Sequence, residues 1–157
     1  MPARVYVETS IVSYLTARPS RDLVVAGHQQ VTHEWWQTQR SRFHLYVSQL
    51  VIREASGGDP RVADARLRTL DGIALLAIRP EAVALSRALV ERGPVPPKAT
   101  ADALHIAVAA AHGIEYLLTW NCKHIANAEM RPQIEGICRA HGLEPPVLCT
   151  PEELMGG

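Results

Sequence analysis

Apolar residues recur along this chain with two alternating periods, and the breaks between them fall on clusters of turn residues. Val5-Tyr6-Val7 is a short β-rich run that stops at Glu8-Thr9-Ser10. Ile11, Val12, Tyr14 and Leu15 then follow at helical spacing, with Thr9 or Ser10 available as N-cap. The chain therefore begins strand–turn–helix, with Glu8 at the carboxyl end of the strand. A longer helix is expected from Asp22 to about Arg40, with Val24, His28, Val31 and Trp35 as one stripe. Phe43 to Val47 reads as a second strand, and Ser48 as the cap of a short helix through Glu54.

Ser56-Gly57-Gly58 ends that helix, and Asp59-Pro60 is a cap followed by an N1 proline for the next. Ile73 to Ile78 is expected to be a third strand, before a helix from Glu81 to Glu91. Gly93-Pro94-Val95-Pro96-Pro97 is a stiff connection, because each proline fixes φ. It leads into a helix from about Ala101 to His112, then a fourth strand from Tyr116 to Thr119. A helix around Arg131 to His141 and an edge strand at Val147-Leu148 complete the pattern. Strands alternating with helices at this spacing predict an α/β fold of three layers, a mostly parallel central sheet flanked by helices. The 157 residues suit a single domain spanning 1–157.

Composition narrows the picture modestly. Acidic and basic residues balance at 16 each, so no strong global field draws in nucleic acid. Lysine occurs only at Lys98 and Lys123. Arginine suits bidentate phosphate contacts, although genome base composition is a blander explanation. Cys122, Cys138 and Cys149 form no CxxC pair and read as reduced thiols. The opening apolar stretch is too short for a signal peptide or a membrane span, so a cytoplasmic location is expected.

The helix after the prolines is the most informative segment. Ala103, Leu104 and Ile106 to Ala111 leave almost no polar face, so it should be buried. Asp102 and His105 are its polar exceptions, three positions apart and on one side. Asp102 in the first turn also suits the helix dipole, and His105 reads as a half-buried, hydrogen-bonded histidine in a supporting position. Glu54 closes its short helix where a negative charge is unfavourable, which a cation would offset. Taken on local grounds alone, a solvated surface glutamate is the better explanation. Glu8 lies at the sheet edge where ligands bind in open α/β folds.

Thr119-Trp120-Asn121 closes the fourth strand at that same edge. Asn121 either hydrogen-bonds a carboxylate or a metal-bound water, or caps the turn before Lys123. Trp35-Trp36 and His33 suit a helix packing face or a dimer contact better than a base-stacking platform. His124 beside Cys122 lacks the partner pair of a structural zinc site. No Walker loop, Gly-x-Gly-x-x-Gly turn or Gly-x-Ser-x-Gly elbow is present.

Read together, four segments resemble the PIN domain, and within it the VapC-like toxins of toxin–antitoxin systems. They are Val5-Tyr6-Val7-Glu8-Thr9-Ser10, Ser48 to Glu54, Ala101-Asp102-Ala103-Leu104-His105-Ile106-Ala107, and Leu117-Leu118-Thr119-Trp120-Asn121, in the family's order. The resemblance implies cleavage of RNA dependent on Mg²⁺ or Mn²⁺, with Glu8, Glu54 and Asp102 as the metal-binding acids. Asn121 stands where a fourth, usually acidic, residue is expected. Thr9, Ser10, His105 and Thr119 would support the site, and Lys98, one helical turn before Asp102, would reach a phosphate at its mouth. The family also implies a homodimer and an antitoxin partner.

Two departures from the family pattern matter. The first acid is usually Asp, and Glu8 moves the carboxylate outward by one methylene; Asn121 keeps an oxygen but loses a charge. Octahedral Mg²⁺ is demanding about such geometry. A second reading therefore stands beside the first: a PIN scaffold that binds RNA or a protein without cutting. If three carboxylates pack together without a cation, mutual repulsion should raise their pKa values.

Overall fold

Each strand and helix expected from periodicity is present in the computed structural model, which describes residues 2–156, with ends moved by one or two residues. The order is β1 (Arg4–Val7), α1 (Thr9–Thr16), α2 (Leu23–Thr38), β2 (His44–Ser48), α3 (Gln49–Ala55), α4 (Pro60–Leu70) and β3 (Ala74–Leu76). There follow α5 (Pro80–Glu91), α6 (Thr100–Ala111), β4 (Tyr116–Leu118), α7 (Arg131–Ala140) and β5 (Val147–Cys149). Short 3₁₀ turns at Arg40–Arg42 and Pro97–Ala99 lead into β2 and α6.

The strands form one sheet in the order β3-β2-β1-β4-β5, and all four pairings are parallel, not merely most of them. Strand β1 lies at the centre, with Val5 opposite Leu45 on one side and Tyr116 on the other. Covered on both faces, Val5, Tyr6 and Val7 have no exposed surface, which is why the strand reads as an unbroken apolar run.

Parallel crossovers are right-handed. The steps β1 to β2 to β3 run one way across the sheet, and β3 to β4 to β5 run the other. That places α1–α4 on one face and α5–α7 on the opposite face, and helix packing falls into those two sets. The chain leaves β1 and β4, which are neighbours, in opposite directions. The crevice at their carboxyl ends is a topological switch point, the place where such sheets hold ligands. No helix among the described residues is long and apolar enough to cross a membrane.

Local capping follows the sequence at two sites and departs from it at two. Asp22 accepts hydrogen bonds from the N–H groups of Val24 and Val25, and Asp59 from that of Arg61, with Pro60 at N1. Thr9 and Ser10 do not cap α1. Glu8 occupies the N-cap position without a side-chain cap bond, and both hydroxyls turn to other partners. Ser48 is the N-cap residue of α3, but its hydroxyl binds Tyr6 instead of the helix N–H groups.

The α2 stripe is also displaced. Val24 is 66% exposed, and the fully or nearly fully buried residues are Gln29, Thr32 and Trp35. A polar residue wins over valine there because its partner is already inside: Thr32 Oγ1 accepts from Trp120 Nε1 at 2.7 Å. Trp35 belongs to the core rather than to an exposed contact surface; its indole stacks on Phe43 and donates to the Leu154 carbonyl at 3.0 Å. Trp36 is half-buried, with the Arg40 guanidinium 4.2 Å over its ring. Burial pushes the Cys149 thiol up to about 12 and the Cys138 thiol up to about 11, so both stay protonated and inert at neutral pH.

Candidate functional site

At the carboxyl edge of the sheet, β1 ends in Glu8, the α3 helix carries Glu54, and α6 carries Asp102 and His105. Ligand-capable atoms of Glu8, Glu54 and His105 all lie within 4.8 Å of one another. Thus the structure brings two of the three acids together with a histidine that the sequence placed only in a supporting role.

Asp102 is engaged separately. It sits one turn before His105 on α6, and its Oδ2 lies 3.0 Å from His124 Nδ1. An ionised carboxylate can only accept, so His124 donates. Asn121 answers the question its sequence left open by capping the turn: its Oδ1 accepts the His124 N–H at 3.0 Å, which holds that histidine against Asp102. Of the two alternatives, the cap is the one formed, and Asn121 bonds no carboxylate among the described residues.

Glu8 is almost wholly buried, and the bonds around it explain how. Its Oε1 accepts from Ser10 Oγ at 2.5 Å and from Thr119 Oγ1 at 2.6 Å. Ser10 Oγ in turn accepts the Trp120 N–H at 2.8 Å, and Thr119 Oγ1 accepts the Asn121 N–H at 2.9 Å. The hydroxyls expected near the site therefore clamp the loop after β4 to the start of α1 through one carboxylate.

Glu54 is fixed in the same way. Its Oε1 takes Thr9 Oγ1 at 2.5 Å and His105 Nε2 at 2.7 Å. Burial raises the Glu54 pKa, but the hydrogen bond and charge of His105, the Thr9 hydroxyl and the Arg53 charge outweigh it and hold the carboxyl below its ordinary value. This reverses the expected rise for Glu54. The neighbours that touch it are donors, and they matter more than carboxylate repulsion.

Behind His105 the bonds continue inward. Its Nδ1 meets the Tyr6 hydroxyl at 2.7 Å, and that oxygen meets Ser48 Oγ at 2.7 Å. Burial first, and the nearby charges of Glu8 and Glu54 second, push the Tyr6 phenol well above its ordinary range against the Ser48 hydrogen bond, so it remains an O–H. Sequence reasoning missed Tyr6, Ser48 and His124. The available signal for Tyr6 was a phenol in a strand buried on both faces, which demands an internal partner.

Beside the site, Trp120, His28 and Tyr14 form a group of stacked, nearly parallel rings, with His28 and Trp120 centroids 4.0 Å apart. Lys98 is exposed in the 3₁₀ turn that runs into α6.

Each of the three carboxylates is held by protein donors through one oxygen: Glu8 and Glu54 through Oε1, Asp102 through Oδ2. Their second oxygens make no hydrogen bond among the described residues. All are hard oxygen donors, and such anchoring is what carboxylate ligands of Mg²⁺ or Mn²⁺ require. The residues fit a divalent ion of that class.

The profile of the PIN domain matches residues 5–121, which spans all of these groups. The chain belongs to the PIN domain family, a family of nucleases. Among solved structures it is similar to VapBC2 from Rickettsia felis bound to a DNA fragment from its promoter. The identity is 15%, covering 76% of this chain and 89% of that one, with a TM-score of 0.55. It is also similar to VapC20 of Mycobacterium tuberculosis, a sarcin-ricin loop cleaving toxin, at 14% identity over 76% and 91% of the two chains, with a TM-score of 0.57. At these identities the likeness concerns the fold. No curated protein matches the sequence.

Proposed function

We propose that this protein is a metal-dependent endoribonuclease and the toxin of a toxin–antitoxin pair. The observation that carries the proposal is the convergence of Glu8 and Glu54 at the switch point, each anchored through one oxygen with the other left for a ligand. Asp102, on α6 one turn before His105 and tied back by His124, would complete the set.

Glu8, Glu54 and Asp102 would hold Mg²⁺ or Mn²⁺ through their outward oxygens. When bound, such an ion supplies Lewis acidity that makes water a better nucleophile and charge that offsets the phosphate. The chain's own residues do the rest. Ser10 and Thr119 fix the Glu8 carboxylate, while Thr9 and His105 fix that of Glu54 and keep it ionised. Lys98 at the mouth would contact a neighbouring phosphate of the strand. Asn121 acts through the turn it caps, not as a fourth acid. The VapBC2 structure of Rickettsia felis favours an antitoxin partner here; a homodimer is part of the same proposal.

The test is cleavage of RNA by purified protein with Mg²⁺ or Mn²⁺, compared with Asp102→Asn and Glu54→Gln. Both substitutions should abolish cleavage; equal cleavage by either variant would overturn the assignment. Binding of RNA without metal-dependent cleavage by the wild type would instead favour the non-cutting scaffold. Sedimentation at micromolar concentration tests the dimer.

A further inference from the structure

A line of four polar side chains runs from the site into the core. Glu54 on α3, His105 on α6, Tyr6 on β1 and Ser48 at the end of β2 are joined by three contacts, each of 2.7 Å. Tyr6, Ser48 and His105 have no exposed surface. These four residues tie together the elements that carry the three acids: β1 leads into Glu8, α3 bears Glu54, and α6 bears Asp102. We propose that Tyr6 is a positioning residue for the metal centre, acting through His105 to set the place and orientation of the Glu54 carboxylate.

The proton count supports this role. An ionised Glu54 only accepts, so His105 Nε2 bears the hydrogen that faces it. His105 Nδ1 is paired with the Tyr6 hydroxyl, and that hydroxyl with Ser48 Oγ. Every group in the line has a partner, which is what a buried polar network needs to be rigid. Without the phenol, His105 Nδ1 faces apolar core, and the ring loses the contact that fixes its rotation. The position of Tyr6 is also determined by the strand. Two residues before Glu8, it points to the same face of the sheet, toward α6.

The alternative is that the line only stabilises the fold, and two readouts separate the two roles. This proposal rests on the metal-centre reading for one of them and is independent of it for the other. Mn²⁺ affinity, measured by water-proton relaxation, should fall about tenfold or more in His105→Ala, the range typical when an outer partner of a ligand is lost, and by a smaller factor in Tyr6→Phe. The Glu54 carboxyl titration, followed by NMR without metal, should move upward in the same variant and further in His105→Ala. His105→Gln keeps an N–H for Glu54 and should recover part of the loss; it also serves if Tyr6→Phe does not fold. In the double variant Tyr6→Phe/Ser48→Ala both hydroxyls are gone, so stability should recover toward the wild type while metal affinity remains weak.

If Tyr6→Phe alters neither the Mn²⁺ affinity nor the Glu54 titration, the positioning role is overturned. Where it does not fold, recovery of metal affinity and titration equal to the wild type in His105→Gln does the same. Absence of Mn²⁺ binding by the wild type, with the Glu54 titration still shifted in the variants, would sink the metal reading and leave the positioning role standing.

Discussion

Glu8 and Thr119 are 111 positions apart in sequence, yet Thr119 Oγ1 donates to Glu8 Oε1 at 2.6 Å in a buried hydrogen bond. The same hydroxyl accepts the Asn121 N–H at 2.9 Å. One side chain thus both aims the Glu8 carboxylate and shapes the loop after β4. Thr119→Val keeps the shape and removes both bonds. It should cost about 1–3 kcal/mol of stability, the range for leaving a buried polar group unpaired. Urea denaturation measures this, and a parallel Mn²⁺ titration should show weaker binding. Unchanged metal affinity would mean that Glu8 does not depend on Thr119 for its orientation.

His124 tests whether Asp102 needs its tether. In His124→Ala the Asp102 carboxylate keeps its helix but loses its donor at 3.0 Å. On the proposed activity, with Asp102 as a metal ligand, RNA cleavage is expected to fall about 10- to 100-fold at saturating substrate, as for other lost partners of metal ligands. Full activity in this variant would show that the pairing is incidental to the resting arrangement.

Acid should weaken the fold through Glu54. Its pKa is lowered in the folded protein, so its contribution is fully present above the unfolded value and is lost as pH falls through the folded one. The stability difference between wild type and Glu54→Gln should therefore be greatest near neutrality and shrink below the ordinary carboxylate range. Denaturation midpoints at a series of pH values give the curve; a difference that widens on acidification would contradict the sign.

Thr32 provides a test away from the acids. Its Oγ1 is the partner of the buried Trp120 Nε1, and it donates to the His28 carbonyl at 2.6 Å. Thr32→Val strands the indole N–H, with an expected loss of about 1–3 kcal/mol by thermal or urea unfolding. Wild-type stability would imply that Trp120 finds another acceptor.

The fold was legible in the sequence because its signals are local. Apolar runs, the Asp59-Pro60 start and the stiff proline connection each mark a boundary by backbone chemistry alone. Periodicity put Glu8 at a sheet edge and Asp102 on a buried helix, whereas Glu54 was joined to them only through family resemblance. The hydroxyls of Thr9, Ser10 and Ser48 were misjudged as caps for a physical reason. Local helix N–H groups compete with partners brought in by the fold, and here the distant carboxylates and the Tyr6 phenol win. His105 was underrated for the same cause: nothing nearby in sequence announces that Glu54 on one side and Tyr6 on the other will meet its two nitrogens.

The placement of β1 between β2 and β4 has a consequence for synthesis. Its first partner is made within some forty residues of it, but the second, and Thr119 with it, only about a hundred residues on. Glu8 is translated 111 residues before its tether. A nascent or prematurely terminated chain lacking Thr119 has the acid but not the bond that aims it. On the proposed activity, such a fragment carries an acid that is not aimed, and the cutting centre arises only once β4 and Thr119 have joined the sheet.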